Sequence, residues 1–198
     1  MVMAEATNHY FKHLGVSDGL SQVCIPSIYQ DELGAVWLGT TEGLNRYNGK
    51  DVKVFQPSES NHGLTNNEIN ELCGDKNGRM YIRSGNDLIK LDIYTEQFTC
   101  LRQKGVYGLF CKKDTLWVSC ADGIYYYTGQ GTELTFFARV QKGFVGRALY
   151  VDKETVWVVT RKYLVAISRE DPLRQEILLT LDTVSYTHLR AHETEADL

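Results

Sequence analysis

A plan of about thirty residues occurs twice in this chain, 44 positions apart. Residues 19–48 open on Gly19-Leu20, carry Ile25, turn at Asp31 and Gly34, and continue through Trp37 to Leu44. Residues 63–92 restate it as Gly63-Leu64, Ile69, Asp75, Gly78, Tyr81 and Leu88. Self-similarity at a period near 40, in segments of strand and turn character, marks a β-propeller or a related array. A unit of that kind cannot bury its apolar face alone and must stack on neighbours.

The register extends to four units. Trp37, Tyr81, Trp117 and Trp157 are separated by 44, 36 and 40 residues, and each opens a segment that aligns without gaps: 37–47, 81–91, 117–127 and 157–167. The fourth position is small or hydroxylated (Thr40, Ser84, Cys120, Thr160), and the eighth is aliphatic (Leu44, Leu88, Ile124, Leu164). Between them lie the turn residues of a short hairpin in the first three units: Glu42-Gly43, Gly85-Asn86 and Asp122-Gly123. Arg161-Lys162 is a less typical turn. Each unit divides into four short strands, A to D. In the first these are expected near Ile25–Gln30, Val36–Thr40, Leu44–Tyr47 and Val52–Gln56. Asp31–Gly34 makes the A–B turn, and Asn48-Gly49 the C–D turn. The A–B turn shortens to Lys112–Thr115 and Asp152–Thr155 in the later units. Four antiparallel strands per unit is one propeller blade. The expected fold is therefore all-β: four blades of an incomplete propeller.

Length and composition set bounds. A seven-bladed ring at this period needs on the order of 280 residues, and the sequence has 198. The expectation is an arc of four repeats, about 11–57, 58–101, 102–140 and 141–183. An apolar share of 43% and only 3 prolines indicate a globular chain rather than a disordered one. The net charge of −4, with no basic run, lacks the electrostatic footprint of a nucleic-acid binder. No apolar run approaches the length of a membrane span. The cysteines (24, 73, 100, 111, 120) are odd in number and lack C-x-x-C spacing, which argues against zinc and against a disulfide scaffold. Most fall on predicted strands, where Cys acts as a small buried hydrophobe.

Both ends depart from the pattern. Residues 1–10 include Ala4-Glu5-Ala6, a small-x-small string of the kind that ends a signal peptide. Residues 184–198 abandon the blade grammar and resemble translated sequencing-adapter read-through. His188 and His192 share i, i+4 spacing there, without the H-E-x-x-H order of a zincin, and no metal chemistry is assigned to them.

The string at 28–55 resembles the two-component regulator propeller repeat, and 62–82 resembles it again with the connecting Gly-Leu-Thr-Asn-Asn segment. Residues 9–22 resemble the start of the first propeller in the periplasmic sensor region of Bacteroidetes hybrid two-component histidine kinases. The likeness runs over roughly 9–180. It is looser in units three and four, and it departs from the repeat at Arg83 and at Ser119-Cys120. The resemblance implies a periplasmic sensor segment that responds to oligosaccharides or another small ligand. It also implies further blades, downstream sensor domains and a homodimer in the full-length parent, itself a histidine kinase.

Residue by residue, the repeat positions read as structural anchors: Asp31, Gly34, Trp37, Asp75, Gly78, Tyr81, Trp117 and Trp157. An Asp in a tight turn accepts backbone N–H groups and a Gly there takes positive φ. The tryptophans are large apolar anchors between neighbouring sheets. Ligand contacts are sought on the B–C turns and the links between blades, which gather on one face of a propeller. The candidates are Arg83, Asn86, Asp122, Arg161 and Tyr163. Of Tyr125-Tyr126-Tyr127, at least one ring should be core, because alternation places the middle one on the opposite face. No catalytic residues, metal ligands or cofactor are expected. Glycosidase chemistry needs two paired carboxyl groups, which no spacing here identifies. The sialidase-type box fails for want of a Ser two residues before Asp31. Two other readings remain: a propeller scaffold for protein–protein interaction, for which the Trp-Asp and Gly-His marks of the WD type are missing, and a glycan-active enzyme.

Overall fold

The structure, a computed structural model, describes residues 13–57, 63–141 and 145–180. The N-terminal stretch 1–10 and the tail 184–198, singled out above, lie outside the described residues. Among the described residues the regular elements are one 3-10 turn, Val16–Asp18, and sixteen strands. Four sheets follow one another along the chain. Blade one contains β1 (Ser27–Gln30), β2 (Val36–Thr40), β3 (Gly43–Tyr47) and β4 (Val52–Phe55). Blade two contains β5 (Ile69–Gly74), β6 (Arg79–Ser84), β7 (Asp87–Asp92) and β8 (Gln97–Arg102). Blade three contains β9 (Val106–Lys112), β10 (Thr115–Cys120), β11 (Gly123–Tyr127) and β12 (Thr135–Ala138). Blade four contains β13 (Val145–Val151), β14 (Thr155–Thr160), β15 (Tyr163–Ser168) and β16 (Gln175–Thr180). Within each blade the strands pair antiparallel in chain order. The inner strands β1, β5, β9 and β13 meet in succession. The result is the expected all-β arc of four propeller blades, an incomplete ring.

Side-chain alternation explains the stacking. On strand B of each blade, one set of residues faces the preceding blade and the other faces the next. Met80 and Ile82 of β6 join Trp37 of β2 in one core cluster, fully buried. Tyr81, between them in sequence, joins Val118 of β10 and Tyr127 of β11 in another. Trp117 of β10 joins Val156 and Val158 of β14 in a third. The first three aromatic anchors thus each insert into the sheet that follows. Aromatic contacts extend the joints: Trp37 stacks on Phe55 at 5.7 Å, and Tyr81 meets Tyr127 edge-on at 6.0 Å. Trp157 holds the equivalent place on β14 but points to a face that no described residue covers, and it remains partly exposed.

The A–B turns carry the expected chemistry and one bond more. Asp31 Oδ1 accepts the amides of Leu33 and Ala35 at 3.0 and 2.9 Å. Gly34 and Gly78 each hold φ +85°, the conformation that favours Gly. In addition, the Trp37 indole donates to Asp31 Oδ2 at 2.8 Å, and the Trp157 indole donates to Asp152 Oδ2 at 2.7 Å. The turn carboxylate therefore fixes the ring that anchors the next blade. In blade two the ring is a tyrosine with no indole N–H, and Asp75 Oδ2 pairs with the Arg79 guanidinium instead.

Two details differ from the sequence reading. The C–D connection of blade one is not confined to Asn48-Gly49. It runs to Asp51, because the Asn48 side chain accepts the amides of both Lys50 and Asp51, at 2.9 and 2.8 Å. Strand A of that blade starts at Ser27, two residues later than expected, after Pro26, which has no N–H to give a ladder. Gly39 permits a close approach of the two blades: a Cβ there would lie 2.8 Å from Ile69 Cγ2 on the next blade.

Candidate functional site

The B–C turns and the links between blades form one continuous surface, joined by main-chain hydrogen bonds. The Gly43 amide of the first B–C turn donates to Asn67 O in the link to blade two, at 2.8 Å. Gly85, in the second turn, donates to Glu68 O at 2.7 Å. Val106 then donates to Asn86 O at 3.0 Å, and Ala121 to Gly105 O at 2.8 Å. The links into blades two and three are therefore each bonded to the turn before and the turn after. The hydroxyl at the fourth repeat position serves this surface. Thr40 Oγ1 donates to Gly43 O at 2.9 Å, Ser84 Oγ donates to Asn66 O at 2.8 Å, and Thr160 Oγ1 accepts the Tyr163 amide at 2.9 Å. Cys120 cannot donate so well and is simply buried.

The polar side chains on this surface concentrate at blades two and three. The link presents Asn66, Asn67 and Glu68, all exposed. Strand β5 adds Asn70 and Glu71, and its register shifts between Ile69 and Glu71 to make a bulge at Asn70. Arg83 lies opposite, on the same face as Tyr81. Its guanidinium is buried and donates to Glu71 Oε2 at 3.3 Å, Asn70 Oδ1 at 3.3 Å and Gly85 O at 3.0 Å. Asn86 is exposed at the turn tip. On blade three, Asp122 receives Arg102 through both oxygens, at 2.8 and 3.0 Å, and the Tyr125 hydroxyl at 2.8 Å. Arg102 also covers the Tyr125 ring at 4.6 Å. Desolvation acts to raise the Asp122 carboxyl, but the bonds from Tyr125 and Arg102 outweigh it, and its pKa lies below the ordinary 3.8.

The sequence-derived candidates therefore fall into two groups. Arg83, Asn86 and Asp122 belong to one stretch of surface spanning two blades. Arg161 is exposed at the blade-four turn, and among the described residues no hydrogen bond ties it to the first group. Tyr163 packs on the core between blades three and four, so its ring is not a free stacking platform. Tyr127 is the core ring of its triplet, while Tyr125 and Tyr126 are half-buried on opposite faces. Glu68, Asn70, Glu71 and Arg102 were not singled out from the sequence. The run Asn66-Asn67-Glu68-Ile69-Asn70-Glu71, polar around a lone isoleucine, was the available signal.

Among the described residues, grooves also lie on blade four. One, of about 270 Å³, is lined by Glu154, Thr155, Ala166, Ser168, Arg174 and Glu176. Thr155, Ala166 and Ser168 share the uncovered face of Trp157, so this groove is part of a sheet face like those that receive a neighbouring blade. Among the described residues no helix is long and apolar enough to cross a membrane.

This architecture defines a β-propeller segment of four blades. Within that class, residues 19–42 match the sequence profile of the two-component regulator propeller. A histidine kinase of Formosa agariphila, Histidine kinase P4, is 40% identical over 53 residues, which are 27% of this chain and 4% of that protein. The extracellular domain of a hybrid two-component system of B. thetaiotaomicron superimposes with a TM-score of 0.70 at 21% identity, over 85% of this chain and 26% of that one. A second B. thetaiotaomicron extracellular domain, from a protein described as a one-component system, gives 0.67 at 19% identity, over 86% and 27%. The chain thus carries the two-component regulator propeller repeat and spans about a quarter of the extracellular domains whose fold it shares.

Proposed function

We propose that this chain is the ligand-sensing propeller region of a two-component sensor, exposed outside the cytoplasm, and that it takes no part in catalysis itself. The reading is supported by the propeller repeat at 19–42 and by the 40% identity to a histidine kinase over 53 residues. Periplasmic placement follows from the same reading, as do further blades and downstream sensor domains in a dimeric histidine-kinase parent.

The ligand surface is the turn-and-link face of blades two and three, and an oligosaccharide is the ligand class that suits it. One observation carries this assignment. Carboxylates and amides on that face are already held by each other: Glu71 and Asn70 by Arg83, and Asp122 by Arg102 and Tyr125. Fixed acceptors and amides of this kind match vicinal hydroxyl groups with little side-chain entropy left to lose on binding. In this arrangement Arg83 orients Glu71 and Asn70, while Asn86 and Asp122 border the same surface.

Calorimetric titration of the chain with a panel of neutral and acidic oligosaccharides tests the proposal. At least one member should bind, and Glu71→Ala and Asn86→Ala should each weaken it by about tenfold, the equivalent of one lost hydrogen bond to a charged or well-fixed group. Arg161→Ala should leave binding unchanged. Binding that is lost with Arg161→Ala and kept with Glu71→Ala would move the site to blade four. No binding across the panel would overturn the oligosaccharide assignment.

A further inference from the structure

The Sγ atoms of Cys73 and Cys111 lie 2.8 Å apart, on strands β5 and β9 of neighbouring blades. That is closer than two unbonded sulfurs pack, and longer than the bond of about 2.05 Å in a disulfide. Comparison across the four blades shows how special the position is. On strand A, the residue paired with the aromatic anchor is Tyr29, Cys73, Phe110 and Tyr150 in turn. Three are rings, and blade two alone has a thiol. The residue after it is Gln30, Gly74, Cys111 and Val151. At the first joint the Tyr29 ring occupies the space over Gly74. At the third joint Phe110 meets Tyr150 edge-on, with centroids 5.1 Å apart. At the second joint the ring is gone, and a thiol from each blade fills the gap. Where the first joint has a ring over a glycine and the third a ring against a ring, the second has a thiol on each side.

We propose that Cys73 and Cys111 form a disulfide that bonds blade two to blade three. It rests on the extracytoplasmic reading above only for the source of oxidant, since disulfides persist in oxidising compartments. The chemistry is thiol–disulfide exchange with a disulfide-bearing oxidant, small or protein-borne. One cysteine thiolate attacks a sulfur of the donor and releases one donor thiol, leaving a mixed disulfide. The second thiolate attacks the cysteine sulfur of that mixed disulfide and releases the other donor thiol as the Sγ–Sγ bond forms. Two cysteine thiols lose two electrons and two protons, and the donor disulfide gains them. Both residues keep part of their surface exposed, so a donor can reach the pair. Burial pushes the Cys73 thiol well above its usual range, so formation should speed up as pH rises. Among the described residues the other three cysteines have no such partner: Cys24 is exposed outside the strands, while Cys100 and Cys120 lie on β8 and β10.

The test is thiol mapping on the 198-residue chain after equilibration with oxidised and reduced glutathione, followed by alkylation, non-reducing digestion and mass spectrometry. The expected product is a single linked peptide pair, Cys73 with Cys111, with the other three thiols alkylated. Forming it should raise the Tm by about 10 °C relative to the reduced chain, since it closes a loop of 38 residues. Cys73→Ser and Cys111→Ser should each abolish the shift and leave the remaining thiol open to alkylation. If a variant fails to fold, the wild-type peptide map decides alone. Two free thiols at 73 and 111 after equilibration would overturn the proposal. So would a statistical mixture of pairs, or a link that forms without raising the Tm.

Discussion

Tyr81 is fully buried, yet among the described residues its hydroxyl has no hydrogen-bond partner. In the other three blades the anchor is a tryptophan, and in blades one and four its indole N–H is bonded to the turn carboxylate. Burial pushes the Tyr81 phenol well above its ordinary 10.0, as expected of a hydroxyl that has lost water. An unsatisfied buried polar group costs about 1–3 kcal/mol. Tyr81→Phe should therefore be neutral or stabilising in urea unfolding, while Tyr81→Ala should cost about 3–5 kcal/mol through the cavity it leaves. A clear loss with Tyr81→Phe would show that the hydroxyl has a partner. Asp122 gives a second test at this scale. Its folded pKa is depressed, so its contribution is present above the unfolded value near 3.8 and is lost as pH falls through the folded value. Asp122→Asn should lower the urea midpoint slightly at pH 7, by the roughly 0–1 kcal/mol of an exposed pair, and the difference should vanish in acid below the carboxylate range. A difference that persists there would mean that the side chain acts through its shape rather than its charge.

At the scale of the strand, most of what holds the blades together could be read from the sequence. The position of each B strand followed from the aromatic anchor, and the turn role of Asp31 followed from its spacing to Gly34. The Asp31–Trp37 bond did not, because it depends on how strand β2 returns past the turn and not on the residues within it. The burial of Arg83 was likewise illegible: it needs the bulge at Asn70, and nothing in the residue types marks one. Propeller logic also makes equivalent residues unequal in energy. Trp117 is buried against blade four, while Trp157 faces no described sheet. Trp117→Ala should thus cost about 3–5 kcal/mol, and Trp157→Ala less than half as much, by chemical unfolding followed with circular dichroism. Equal costs would mean that Trp157 has cover beyond that given by the described residues.

Over the whole molecule, the account describes an arc in which each blade offers an aromatic anchor to the next. The turn-and-link face is joined by main-chain bonds across blades one to three, and among the described residues the last anchor has no sheet beyond it. The number and order of blades were legible because the period survives in every unit. The site was legible only in part, since its residues come from a link, a bulged inner strand and two turns that sequence cannot register against each other. Acrylamide quenching of three single-tryptophan variants, with the other two tryptophans changed to Phe in each, tests the arc most directly. Trp37 and Trp117, at 0% and 4% exposure, should be strongly protected in the folded monomer, and Trp157 should be readily quenched. A monomer in which Trp157 is as protected as Trp37 would contradict the open arc, and a closed four-bladed ring would then account for the chain.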